Sequence, residues 1–202
     1  MLEDLVSKIS SIEFEESEGC LYIEAMSWQG PSSLSLTLSV GCGDKAIEYW
    51  RVSCNWVLAH AFRNRAQSTL RLSFDHPVLW PHSMSFKELY FSSTPNDPAA
   101  VFGSLIEAHL DLVGSWFPIS RFMNHSLSTI KLLSSGNGLL ASGPAPVIEK
   151  FASVLDVYRV RHNSLPLRYG AITYNTERKP RAFLFDDSYV VAHDIEADKQ
   201  DA

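Results

Sequence analysis

Leu34, Leu36, Leu38 and Val40 alternate with Ser35, Thr37 and Ser39, the period-two pattern of a strand with one buried face. The preceding LYIEAMSW, residues 21–28, is rich in aromatic and branched side chains, and the intervening QGPSS supplies a turn. GCGDK at 41–45 is a second turn, after which AIEYWRVSC (46–54), VLAHAF (57–62) and TLRLSF (69–74) continue the series, and SFKELYFSS (85–93) closes it. Strands at this spacing predict an antiparallel meander, built as a sandwich or curved sheet.

The period then changes. In PNDPAAVFGSLIEAHLDLVG, Asp97 is placed to cap a helix and Pro98 to occupy its first position. Val101, Phe102, Leu105, Ile106, His109, Leu112 and Val113 then share one face, and Gly114 is a natural stop. After GPAP, Val147, Ile148, Phe151, Val154, Leu155 and Tyr158 recur at helical spacing and predict a second amphipathic helix. Between the helices lie SWFPISRFMNHS, read as an aromatic loop or short helix, and the strand candidate GLLAS at 138–142. AITYN (171–175) and RAFLFDDSYVVAHDI (181–195) read as a C-terminal strand segment, and EADKQDA as a fraying end. The expected fold is therefore α+β: a mainly antiparallel sheet, two amphipathic helices and C-terminal strands. A single domain over 1–202 is expected, with 134–138 as the alternative point of division.

The composition, 46% apolar and 20% charged, is that of a globular protein. A net charge of −6 argues against direct binding of nucleic acid, which needs a basic face. The charge is uneven, however: residues 1–24 carry seven acids and one lysine, whereas 49–74 carry Arg51, Arg63, Arg65 and Arg71 without an acid. The bland account of those arginines is outward strand positions; the other is a local basic patch in an acidic whole. Three separated cysteines, Cys20, Cys42 and Cys54, suggest reduced thiols rather than a disulfide framework. With neither a basic-then-apolar leader nor a run of ~20 apolar residues, a cytoplasmic protein without membrane contact is expected.

Candidate chemistry concentrates in DHPVLWPH, residues 75–82. Asp75, His76 and His82, with His109 from the first helix, offer ligand and acid–base types. Two histidines six apart across two prolines match no metal motif, so no metal is expected. The structural account is a rigid turn in which Asp75 caps backbone N–H groups, the prolines hold extended geometry, and Val78, Leu79 and Trp80 plug the sheet. The cysteines, in or beside strands, read as inert packing, and no nucleophile elbow is present. Glu15 with Glu16, and Asp186 with Asp187, read as solvated edges. In SSGNGLLASGPAP, Pro144 and Pro146 remove donors that a phosphate cradle needs, which leaves a plain turn and no cofactor. Of the aromatic set Trp50, Trp56, Trp80, Tyr90, Phe91, Trp116, Phe117 and Phe122, most belong in a core. Trp116, Phe117, Arg121, Phe122 and Met123 nevertheless gather the residue types enriched at interface centres, and they are the partner-binding candidates.

At DHPVLWPH, KELYF, FGSLIEAHLDLVGSWFPISRFMN and GLLASGPAPVIEKFASVLDVY the chain resembles small uncharacterised cytosolic proteins of bacteria, some of the immunity type that acts against toxins of competitors. The resemblance spans residues 20–160 and brings no catalytic motif; it implies a binding role. Two principal functions follow. One is a non-enzymatic protein-binding module, an immunity or accessory protein whose acidic surface suits a basic partner such as a nuclease toxin. The alternative is a hydrolase or small-ligand-binding protein with a pocket between sheet and helices lined by Asp75, His76, His82 and His109. A subunit of a homo-oligomer is the third class.

Overall fold

The computed structural model describes residues 2–10, 19–42, 48–167 and 179–200, and these form an α+β fold. The helices are α1 (Leu2–Ser10), α2 (Trp80–Ser83), α3 (Pro98–Val113), α4 (Thr129–Ser134) and α5 (Ala145–Val157). The strands are β1 (Gly19–Gly30), β2 (Ser33–Cys42), β3 (Glu48–Ala61), β4 (Ala66–Gln67), β5 (Arg71–Ser73), β6 (Phe86–Phe91), β7 (Gly138–Pro144), β8 (His162–Pro166), β9 (Arg181–Phe185) and β10 (Ser188–Gln200). The chain divides into two compact units, Met1–Leu79 with Thr176–Ala202, and Trp80–Asn175. The physical reason is that each unit has a sheet with its own apolar face. Residues 134–138 lie inside the second unit, between α4 and β7.

The first unit is an antiparallel sheet in the order β4-β1-β2-β3-β10-β9-β5. Leu34, Leu36 and Leu38 of β2 stand opposite Cys54, Val52 and Trp50 of β3, and all six are buried. That row continues into Ile195 and Ala197 of β10, and α1 adds Leu2, Leu5 and Ile9 to the same core. The outer strands β4 and β5 are separated in sequence only by residues 68–70, so the sheet curls until its two edges approach. Leu70, buried between them, seals the seam.

Three expectations change here. Residues 48–61 are one strand, because the chain runs on through Asn55 and Trp56, the latter at φ of 56°, instead of turning; the register with β10 slips just beyond, where Val191 faces Ala59 and Ala192 faces Val57, so that Leu58 is the extra residue. The run 69–74 pairs only over β5. Residues 196–200 of the tail are strand, since β10 pairs with β3 out to Gln200 opposite Tyr49. The predicted strand at 171–175 lies outside the described residues.

The second unit places β6 between β7 and β8. SFKELYFSS therefore begins a second sheet rather than closing the first. β6, with Leu89 and Phe91 buried, packs against α5, which packs in turn against α3; Val101, Leu105 and His109 of α3 and Ile148, Phe151 and Leu155 of α5 are buried, the His109 and Phe151 rings 6.5 Å apart. Asp97 caps α3 by accepting from the Ala99 and Ala100 amides, Pro98 opens it and Gly114 ends it, as predicted. Tyr158 joins the helices, its hydroxyl 2.9 Å from that of Ser104.

Candidate protein-binding surface

Of the four His/Asp candidates, Asp75 and His76 belong to the first unit, His82 and His109 to the second. Asp75 is exposed and accepts from the Ser73 hydroxyl at 3.0 Å. The backbone cap expected of Asp75 is made instead by His76, whose Nδ1 accepts from the Val78 amide at 3.4 Å. Burial, then the nearby Arg71, lower the His76 pKa, with Asp75 opposing. Val78 and Leu79 are fully buried in a 3-10 turn against β9, the plug foreseen, whereas Trp80 is half-buried at the start of α2. His109 is buried with one ring nitrogen 2.8 Å from the Phe117 carbonyl oxygen, between the rings of Phe122 and Phe151. It packs the second unit.

The partner-binding candidates are largely interior. Phe117, Phe122 and Met123 are buried. The cause is the free edge of β7: residues 122–124 run alongside it, with the Ser142 amide donating to the Phe122 carbonyl, the Asn124 amide to the Leu140 carbonyl, and Met123 bridged to Ala141. Gly143 makes room, because a Cβ there would stand 2.8 Å from the Phe122 ring. Trp116 is half-buried; Arg121 is exposed, its guanidinium 4.2 Å above the Phe117 ring. Sequence reasoning found the right residue types on a segment the fold uses as edge cover.

A different apolar surface lies on the first unit. β1 alternates Leu21 and Ile23 inward, then shifts register between Ile23 and Ala25, so that Met26 and Trp28 stand opposite the buried Leu36 and Leu34. They continue the inward face, yet each is 48% exposed, and Trp56 is 67% exposed. Trp56 belongs to the same end of the sheet, because the next residue, Val57, donates its amide to the carbonyl of Ser32 in the β1–β2 turn. Behind them runs a ladder of rings: Trp28 to His60 at 5.3 Å, His60 to Phe62 at 5.9 Å, and Phe62 to the buried Phe185 at 6.4 Å. The β-branch of this site's signal was present in the sequence as a break in alternation at Glu24–Ala25, which marks a bulge.

Among the described residues the neighbouring edge is open. β4 pairs with β1 only at Leu21 and Tyr22, and the Ile23 amide donates to the Arg65 carbonyl; beyond that point no described residue pairs with the outer edge of β1 as far as Gly30. A cleft of about 320 Å³ occupies this gap, with residues 23–26 on one wall and 62–65 on the other. Arg63 and Arg65, both exposed, stand at its lip, Arg63 at 3.9 Å from Asp187. Glu24, the acid in the lining, accepts from the Ser39 hydroxyl.

Among the described residues no group of three or more His, Cys, Asp or Glu is placed to hold a metal ion, and no helix is long and apolar enough to cross a membrane. No protein-family model matches the chain, and no curated protein or solved structure matches it either.

Proposed function

We propose that the protein is a non-enzymatic protein-binding module of the cytoplasm, of the immunity or accessory type that the sequence resembles, and that it engages its partner through the Met26–Trp28–Trp56 end of the first unit. The observation that carries this reading is the exposure of these three large side chains beside a strand edge that no described residue pairs. Tryptophan supplies much of the energy at interface centres, and an apolar patch rimmed by polar groups suits association better than solvent. Trp56 strengthens the reading, because a bulky side chain at positive φ is costly and persists where the fold has a use for it. His109 in packing and Asp75 in a turn favour this reading over the alternative, a hydrolase or ligand pocket.

The test places a photo-crosslinking residue at position 28 in cells that make the protein, with the exposed Val157 of α5 as the control position. One discrete partner captured at 28 and absent at 157 is the expected result. Equal labelling at both, or none at 28, overturns the proposal.

A further inference from the structure

We infer that the cleft beside β1 receives an extended peptide segment of the partner as an added strand, apolar at alternate positions and acidic at the end that reaches Arg65. This rests on the protein-binding reading above and specifies the chemistry of the partner.

The curl of the sheet is the first ground. Residues 66–73 hold the two sheet edges together at one level, where β4 pairs with β1 and β5 with β9. At the level of Glu24 to Gly30 the wall is unfilled, and β1 there presents backbone N–H and C=O groups that no described strand uses. Seven residues of strand span about 23 Å, room for a complementary segment of five or six residues. Unpaired edges are templates for strand addition unless guarded by lysine, proline or a covering element, and residues 24–30 contain neither lysine nor proline.

Side chains set the chemistry. An added strand places alternate residues on the inward face beside Met26 and Trp28, which favours apolar side chains at those positions. At the other end it meets Arg65, exposed and with no acid within ion-pairing distance among the described residues, and Arg63 beside it. The one acid of the cleft wall, Glu24, is bonded to Ser39. Charge complementarity therefore selects an acidic terminus on the segment over a basic one.

The probes are end-blocked hexapeptides alternating valine with serine, one set terminating in aspartate at both ends, one in lysine, and one aspartate set N-methylated at alternate amides. The readouts are calorimetry and amide chemical shifts of Met26 to Gln29. The aspartate peptide is expected to bind and shift these amides, the N-methylated form to lose at least tenfold in affinity, and the lysine form to bind more weakly. Arg65→Glu, which leaves the backbone carbonyl that accepts from Ile23 in place, should reverse the preference between aspartate and lysine peptides. Equal binding of the N-methylated peptide overturns strand addition. So does occupation of the cleft by dodecanoate without any peptide binding, or a dimer in light scattering whose β1 edge is protected from exchange before peptide is added. If peptides fail while the crosslinker at 28 still captures one partner, strand insertion falls and protein binding stands; if both fail, both fall.

Discussion

Asp186 sits in the β9–β10 turn at φ of 36°, a conformation that aspartate tolerates better than branched residues. Its carboxylate accepts from the Ser68 amide at 2.7 Å, the Ser68 hydroxyl at 3.0 Å and the Thr69 hydroxyl at 2.7 Å. Burial is the largest single influence on its pKa and opposes ionisation, but the bonds from Ser68 and Thr69 together outweigh it and hold the carboxyl below its ordinary value. A depressed folded-state pKa stabilises the fold above the ordinary carboxylate range and ceases to do so as pH falls through the folded value. Asp186→Ala should therefore cost about 1–2 kcal/mol in urea unfolding at neutral pH, with the difference from the parent protein shrinking under acid. A difference unchanged at strongly acidic pH would locate the effect outside the carboxylate. The reading of Asp186 as a solvated edge misses this turn, because the partners of its carboxylate lie more than a hundred residues earlier. Cys54 was fully legible as inert packing. Burial pushes its thiol up to about 12, so mass-spectrometric mapping with a thiol reagent at pH 8 should leave Cys54 unlabelled until the protein is unfolded.

At the scale of elements, Glu48 at the start of β3 ties together parts distant in sequence. It lies 2.6 Å from Lys8 of α1 and 3.0 Å from Lys199 of β10, and the hydrogen bonds of these two lysines hold its pKa at about 2 against an ordinary 4.5. The contribution is present above pH 4.5 and is lost as pH falls from there towards 2. Partly exposed ion pairs are worth about 0–1 kcal/mol each, and Leu2, Leu5 and Ile9 keep α1 in the core without them. Glu48→Gln should accordingly raise amide exchange in α1 a few-fold at neutral pH while β2 amides stay protected. Unaltered exchange in α1 would assign its anchoring to the apolar side chains alone. The sequence reading did not include α1: Leu2, Leu5, Val6 and Ile9 have helical spacing, but nine residues give fewer than three turns of pattern. β1 was marked by its aromatic and branched residues, and periodicity identified α3, α5 and β2 since each buries one face. It failed at β3, where a bulge imitates a turn, and at β6, because alternation reports that a strand has an inner face without saying which sheet it joins.

The division of the whole molecule was the least legible feature, and the reason is sequence distance: β9 and β10 complete a sheet begun by residues 19–61, with a second unit inserted between. One core of the curled sheet draws on described residues between 2 and 72 and between 183 and 197, the fully buried Leu36 among them. Phe151, also fully buried, lies on α5 of the second unit. Removing either side chain forfeits its transfer energy and leaves a cavity, worth about 3–5 kcal/mol for phenylalanine and about 2–5 kcal/mol for leucine. Stability that resides in distinct cores opens in distinct units. Phe151→Ala should therefore accelerate native-state hydrogen exchange in α3, α5 and β6 while the amides of β2 and β3 keep their protection, and Leu36→Ala should do the converse. Equal acceleration everywhere by either substitution would show one cooperative block. The converse pattern also bears on binding: if strand addition at β1 is correct, the aspartate peptide should slow exchange in β1 and β2 of the Leu36→Ala protein and leave α3 and α5 as they were, because a ligand stabilises only the unit it completes.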